Sequence, residues 1–180
     1  HEAVIQVCRA TLQRRGSDDL PVLGPYQPVI RTVEAWRLLQ LGRDADAVRV
    51  FKTVIGAPPS TDPRARAADT LARRWLTRFD REAVVAALRA YHRRQVAFPA
   101  DLSVFESWPR ETQPPLRDRF NTPWVYRLSG FRKLTGTTGQ RYVLHSRAIG
   151  GETSSLEAAR RLVQPADPVV FVRKNSGTPA

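Results

Sequence analysis

The sequence predicts an α+β protein, with helices gathered in its first half and strands in its second. Apolar residues recur at three- and four-residue steps through about residue 97, the repeat of a helix with one buried face. After Phe98-Pro99 the prolines multiply, at 109, 114, 115 and 123, and β-type runs replace the helical pattern. Helices first and strands later argue for segregated α and β parts, not for a parallel βαβ sheet.

Residues 2–15 read as the first helix. Val4, Ile5, Cys8 and Leu12 share a face, and Gly16 closes it. Ser17 to Pro28 carries three prolines and two aspartates and reads as a loop. A second helix, from about Val29 to Leu41, would bury Ile30, Val33, Trp36 and Leu39 before Gly42 stops it. A third, about Asp44 to Ile55, sets Ala47, Val48, Phe51, Val54 and Ile55 on one face. Gly56 to Pro63 then breaks the chain, with Asp62 as a cap and Pro63 in the first turn that follows. The fourth helix, about 63–78, would turn Ala67, Leu71, Trp75 and Leu76 inward. Asp80 reads as the cap of a fifth, about 81–97, through Ala83, Val84, Ala87, Leu88 and Tyr91. Together these make antiparallel helical hairpins.

In the second half, Trp124 to Ser129 and Arg141 to Ser146 read as strands, with Gly136-Thr-Thr-Gly139 as the loop tip between them. A short helix around Ser155 to Val163, a strand Val169 to Arg173 and a polar tail complete the chain. The expected division is a helical region, 1–79, and a helix-plus-sheet region, 80–180.

An apolar fraction of 42% over 180 residues suffices for a true core. The net charge is +12, and 26 of the 29 basic residues are arginine. Such a balance favours acidic partners. The arginines are scattered in pairs, however, which on helices usually marks solvated faces. A GC-rich genome would give the same skew. The single cysteine, Cys8, excludes an internal disulfide and sits among apolar neighbours as a buried thiol would. No apolar run approaches the ~20 residues that cross a membrane. A chain that opens at His1 and holds no methionine reads as a fragment, so the absence of a signal or anchor from it excludes neither.

Nothing in the residues names a reaction. His1 is terminal, His92 precedes Arg93-Arg94 on the wet side of a helix, and His145 alternates with Leu144 on a strand. Cys8 has no histidine within motif distance. Neither C-x-x-C nor H-x-x-x-H occurs, so no metal and no cofactor is expected. Asp18-Asp19 and Asp44/Asp46 sit at helix starts, where the dipole accounts for them. Glu106 and Glu111 lack a partner acid. Gly136 to Gly139 lacks the G-K-[ST] ending of a phosphate loop, and Pro114-Pro115 reads as a stiff loop.

Two resemblances add to this reading. Gly42 to Pro59 resembles the second half of a tetratricopeptide unit: Gly42 stands at the turn, and Ala47, Phe51 and Pro59 follow at the repeat's spacings. Asp80 to Tyr91 repeats the apolar pattern, with Ala83 standing for Ala47. A generic helical hairpin accounts for the same residues.

Further on, Ala87-Leu88-x-x-Tyr91 with Phe98-Pro99-x-x-Leu102 resembles the end of the long helix in the major pseudopilins of type II secretion. Asp118-Arg-Phe-Asn-Thr-Pro123-Trp-Val-Tyr126-Arg127 is similar to their "DPWG-x-PY-x-Y" segment. Tyr142-Val-Leu144-His-Ser146-Arg-Ala-Ile-Gly150-Gly151 is similar to their "Y-x-LYS-x-GADG" strand and loop. The resemblance spans roughly residues 82–151. It implies a pilin-like helix laid across an antiparallel sheet, an assembly role outside the cytoplasm, and no catalysis. The family's aspartate-rich calcium loop is replaced here by Ser146 to Glu152, with one carboxylate and an arginine, so no calcium site is expected.

The expected function is therefore a non-catalytic interaction and assembly module of the cell envelope, periplasmic or anchored outside the cytoplasm. Its partners would be proteins of the envelope or secretion machinery, with the membrane reached only through a missing anchor. The alternative is a basic, cytoplasmic nucleic-acid binder, with arginines beside aromatics. Its candidate surface is Arg73, Arg74, Trp75, Arg93, Arg94, Arg132 and Lys133. An unrecognised hydrolase built around His145 is the third reading.

Overall fold

The fold is that of a computed structural model, which describes residues 1–13, 24–134, 137–150 and 155–163. Five α-helices and one hairpin appear among them: α1 Glu2–Gln13, α2 Gln27–Gln40, α3 Asp44–Ile55, α4 Pro63–Gln95, β1 Val125–Leu134, β2 Thr137–His145 and α5 Leu156–Val163. Short 3-10 turns occupy Gly24–Tyr26 and Leu102–Ser107. The class is α+β, helices with a small antiparallel sheet. The expected strand 169–173, Gly16 and Gly151 lie outside the described residues.

Local signals place the first helices. Gly42 adopts φ 71°, the left-handed position that glycine occupies without strain. Around it the N–H of Arg43 reaches the carbonyl of Leu38 at 2.9 Å, and that of Gly42 reaches Leu39 at 3.0 Å. This double closure ends α2 and turns the chain straight into α3. Asp62 caps α4 by accepting the backbone N–H of Arg64 at 2.7 Å and of Ala65 at 3.4 Å.

The buried faces depart from expectation in two helices. In α2 the core side is Thr32, Glu34, Ala35, Leu38 and Leu39, whereas Val33 is exposed and Ile30 and Trp36 are half-buried. α2 packs against α1, α3 and α4 at once, so its buried arc is wider than a single stripe. Glu34 can be buried because Arg9 of α1 donates to it at 2.7 Å. In α4, Ala65, Ala68 and Ala72 face the core, while Ala67 and Leu71 are exposed. Their small side chains let α4 come close to its neighbours.

The larger correction concerns α4 itself. The fourth and fifth helices expected from sequence are one uninterrupted helix of 33 residues. Asp80 does not cap anything. Its carboxylate receives a bidentate pair from Arg119, at 2.5 and 2.9 Å. No glycine or proline stands between residues 64 and 95 to end the helix. Ala83 is exposed, so it does not repeat the packing of buried Ala47.

α4 supplies both apolar clusters. Its N-terminal part packs Ala72, Trp75 and Leu76 with Ile5, Leu38 and Phe51, and the Phe51 and Trp75 rings lie parallel at 6.5 Å. Its C-terminal part packs Val84, Ala87 and Leu88 with Phe105, Trp124 and Leu144. The 79/80 line falls within this helix. α5, although it follows the sheet, returns Ala159 to the first cluster, and Arg160 pairs with Asp44.

The hairpin pairs Val125 with His145, Tyr126 with Leu144 and Leu128 with Tyr142, with an irregularity between Ser129 and Arg132. Beyond it Arg132, Lys133 and Leu134 face Gly139, Thr138 and Thr137. Thr137 to Gly139 therefore belong to β2 and not to a loop tip. No helix of the described residues is long and apolar enough to cross a membrane.

Candidate functional site

The segment 124–128 alternates between two environments, as a strand with one covered face must. Trp124 is buried and Tyr126 half-buried against α4, whereas Leu128, the next on that face, is 38% exposed at the rim. Directly across, Leu144 is buried and Tyr142 half-buried. Leu88 and Tyr91 of α4 meet them from the other side.

Edge-to-face rings extend this layer. Phe98 lies 4.7 Å from Tyr142, and Phe105 lies 6.2 Å from Tyr91 and 4.8 Å from Trp108. Leu102 opens the 3-10 turn and packs beside them. Tyr126 Oη donates to the carbonyl of buried Pro99 at 2.8 Å, and the Phe98 N–H reaches Gln140 Oε1 at 2.7 Å. Burial pushes the Tyr126 phenol up to about 12, with Tyr142 as the next cause. Tyr142 is raised as well, chiefly by burial. Both phenols are neutral near pH 7, Tyr126 as a hydrogen-bond donor within the layer and Tyr142 through its ring contacts with Phe98 and Tyr126.

A polar knot sits beside this layer. Asp118 is buried, and its Oδ1 accepts the N–H groups of Phe120 and Thr122, each at 2.9 Å. Its Oδ2 accepts the hydroxyl of Ser146 at 2.5 Å, and Ser146 Oγ accepts the N–H of Ala148 at 3.1 Å. Bridges between Arg117 and Pro123, and between Ser146 and Gly150 at φ 80°, close the two loops. Arg119 continues the knot onto α4: its N–H donates to Thr77 at 3.2 Å, and its carbonyl accepts from Arg73 at 2.8 Å.

The candidate arginine surface does not assemble. Arg73 is committed to Asp69, at 2.8 Å, and to the Arg119 carbonyl. Trp75 is core, only 4% exposed, and the Arg78 guanidinium covers its ring at 4.9 Å. Arg74, Arg93 and Arg94 are exposed, the last 5.6 Å from the Trp108 ring. The two arginine pairs are 20 residues apart on one helix, which separates them by roughly 30 Å. Arg132 and Lys133 lie in β1 by backbone placement.

The titratable candidates are also dispersed. His92 lies 4.5 Å from Phe98 with the rings tilted by 37°, His145 is half-buried at the end of β2, and His1 meets Arg37 at 3.1 Å. Burial, and then Glu34, raise the Cys8 thiol, which disfavours a reactive thiolate. Among the described residues no group of three or more His, Cys, Asp or Glu is placed to hold a metal ion.

Two clefts escaped sequence reasoning. One, of about 550 Å³, lies between the α3–α4 connection and the first turns of α4, against Pro28, Pro58, Pro59 and Arg66. Another, of about 300 Å³, is bounded by Asp101, Glu106, Arg117 and Trp124. The prolines of Gly56 to Pro63 signal a break, and nothing local tells that the break walls a cavity. Comparisons of the chain with protein-family models, with curated proteins and with solved structures find no match.

Proposed function

We propose that this protein is a non-catalytic interaction and assembly module of the cell envelope, with a head similar to that of the type II secretion pseudopilins. One observation carries the reading. The three segments that resemble that family, 87–102, 118–127 and 142–150, pack into a single cluster on the C-terminal part of α4. Leu88, Tyr91, Phe98, Leu102, Tyr126, Tyr142 and Leu144 supply its apolar contacts, and Asp118, Ser146, Pro123 and Gly150 its loop closures. Residues that resemble a motif and also meet in space support a shared architecture better than either alone. Hydrogen bonds close the 146–150 loop.

The outward side of the hairpin is open to a partner. Val143, 47% exposed, lies there across from exposed Arg127. A photo-crosslinking residue at Val143, in the full-length protein in its native host, is expected to give discrete adducts with envelope proteins, from a chain reached by protease outside the cytoplasm. A chain protected in the cytosol would overturn the reading. The net +12 and the exposed Arg74, Arg89 and Arg93 of α4 favour nucleic acid as the second reading. Duplex binding that falls steeply with salt would support it, and none at low salt would end it.

A further inference from the structure

We propose that the trough between the α3–α4 connection and the start of α4 binds an extended acidic peptide segment of a protein partner. This deepens the interaction reading above and rests on it. The space of about 550 Å³ continues into a neighbouring one of about 210 Å³. Val54, Pro28, Ala57, Pro58 and Ala65 wall both, with Ser60 as the polar side chain the two share, so most of the floor is apolar. The prolines hold their backbone in one conformation, so little freedom is lost when a ligand settles on them.

Charge decides what kind of ligand fits. Among the described residues Asp69 is the only carboxylate lining the trough, and Arg73 already neutralises it at 2.8 Å. Arg66, on the rim of the larger space, is exposed and makes no ion pair among the described residues. Arg31, on the smaller one, donates to the Thr53 hydroxyl at 3.4 Å and makes no ion pair among the described residues. Among the described residues, two guanidiniums without carboxylate partners thus flank a mostly apolar floor. An extended chain places alternate side chains on opposite sides. One set would enter the floor while acidic residues of the other meet Arg66 and Arg31. The end of α4 is not the attraction, since Asp62 already satisfies its first donors.

The probe is a fluorescein-labelled octapeptide of alternating leucine and glutamate, titrated by anisotropy against the same peptide with glutamine for glutamate. Preferential binding of the acidic peptide is expected, with affinity falling about tenfold in Arg66→Glu and again in Arg31→Glu. Ala57→Trp, which fills the floor, should abolish it. Equal binding of the two peptides, no binding, or folded charge variants that bind as before would overturn the proposal. Circular dichroism establishes that each variant is folded, and both arginine sites are tested because either variant alone could fail to fold. Photo-crosslinkers at Thr70, on the exposed rim of the larger space, and at Val143 separate the two levels of the reading. Adducts at Val143 alone would sink the trough and spare the module, and adducts at neither would sink both.

Discussion

Asp118 is a carboxylate withdrawn from water, with donors on both of its oxygens. Removing the side chain leaves the N–H groups of Phe120 and Thr122 and the Ser146 hydroxyl without their acceptor. Asp118→Ala is expected to cost about 3 kcal/mol in urea unfolding, and Ser146→Ala, which removes one donor, about 1–2 kcal/mol. Tyr126 gives the residue scale its pH dependence. Its folded pKa, about 12, lies above the ordinary value of 10.0. The unfolded chain therefore releases this proton first as pH rises. The stability linked to it is complete below pH 10 and drains away between 10 and about 12. Tyr126→Phe should flatten that part of the stability–pH curve, while the raised Tyr142 keeps a share of the slope. An unchanged slope would assign it to another group.

At the scale of elements, α4 is the one that everything else needs. Ala83 is exposed midway along it, so a proline there disturbs the backbone without touching either cluster. Ala83→Pro is expected to destabilise by about 3 kcal/mol or more and Ala83→Gly by about 1 kcal/mol, read from thermal unfolding. A harmless proline would mean that a break near Asp80 is tolerated after all. That break is where sequence reasoning failed, for a physical reason. An acid ahead of an apolar helical run is the pattern of a cap, and only Arg119, 39 residues later, reveals Asp80 as an ion-pair partner. Asp62 and Gly42 were legible because the backbone groups they serve are their immediate neighbours. The helical repeat turned Trp75 inward, as found, whereas its place on the candidate surface fails because Arg73-Arg74-Trp75 is contiguous only in sequence. A helix turns about 100° per residue, which sends Arg74 to water and Trp75 to Phe51. The trough could not be read, because its walls come from α2, α3 and α4.

For the whole molecule, the shared helix predicts cooperativity. Trp75 reports on the first cluster and Trp124 on the second. With the other tryptophans replaced by phenylalanine, the two are expected to report the same denaturation midpoint. Midpoints that differ would mean the clusters unfold independently, with α4 melting from one end. Arg81 and Arg119 tie the sheet side to the middle of α4, and α5 ties the chain after the sheet back to the first cluster.

The unbroken run from Leu76 to Val84 also limits how this chain can change its length. Those residues are the last and first buried anchors on α4 of the two clusters, with Thr77 buried beside Leu76. Adding or deleting one residue between them would rotate everything downstream by about 100° and shift it by about 1.5 Å along the axis. Val84 and Leu88 would then turn away from Trp124, and Asp80 from Arg119. Insertions can accumulate in the α3–α4 connection or ahead of β1, but this stretch of helix works as a vernier whose phase every descendant of the sequence must inherit.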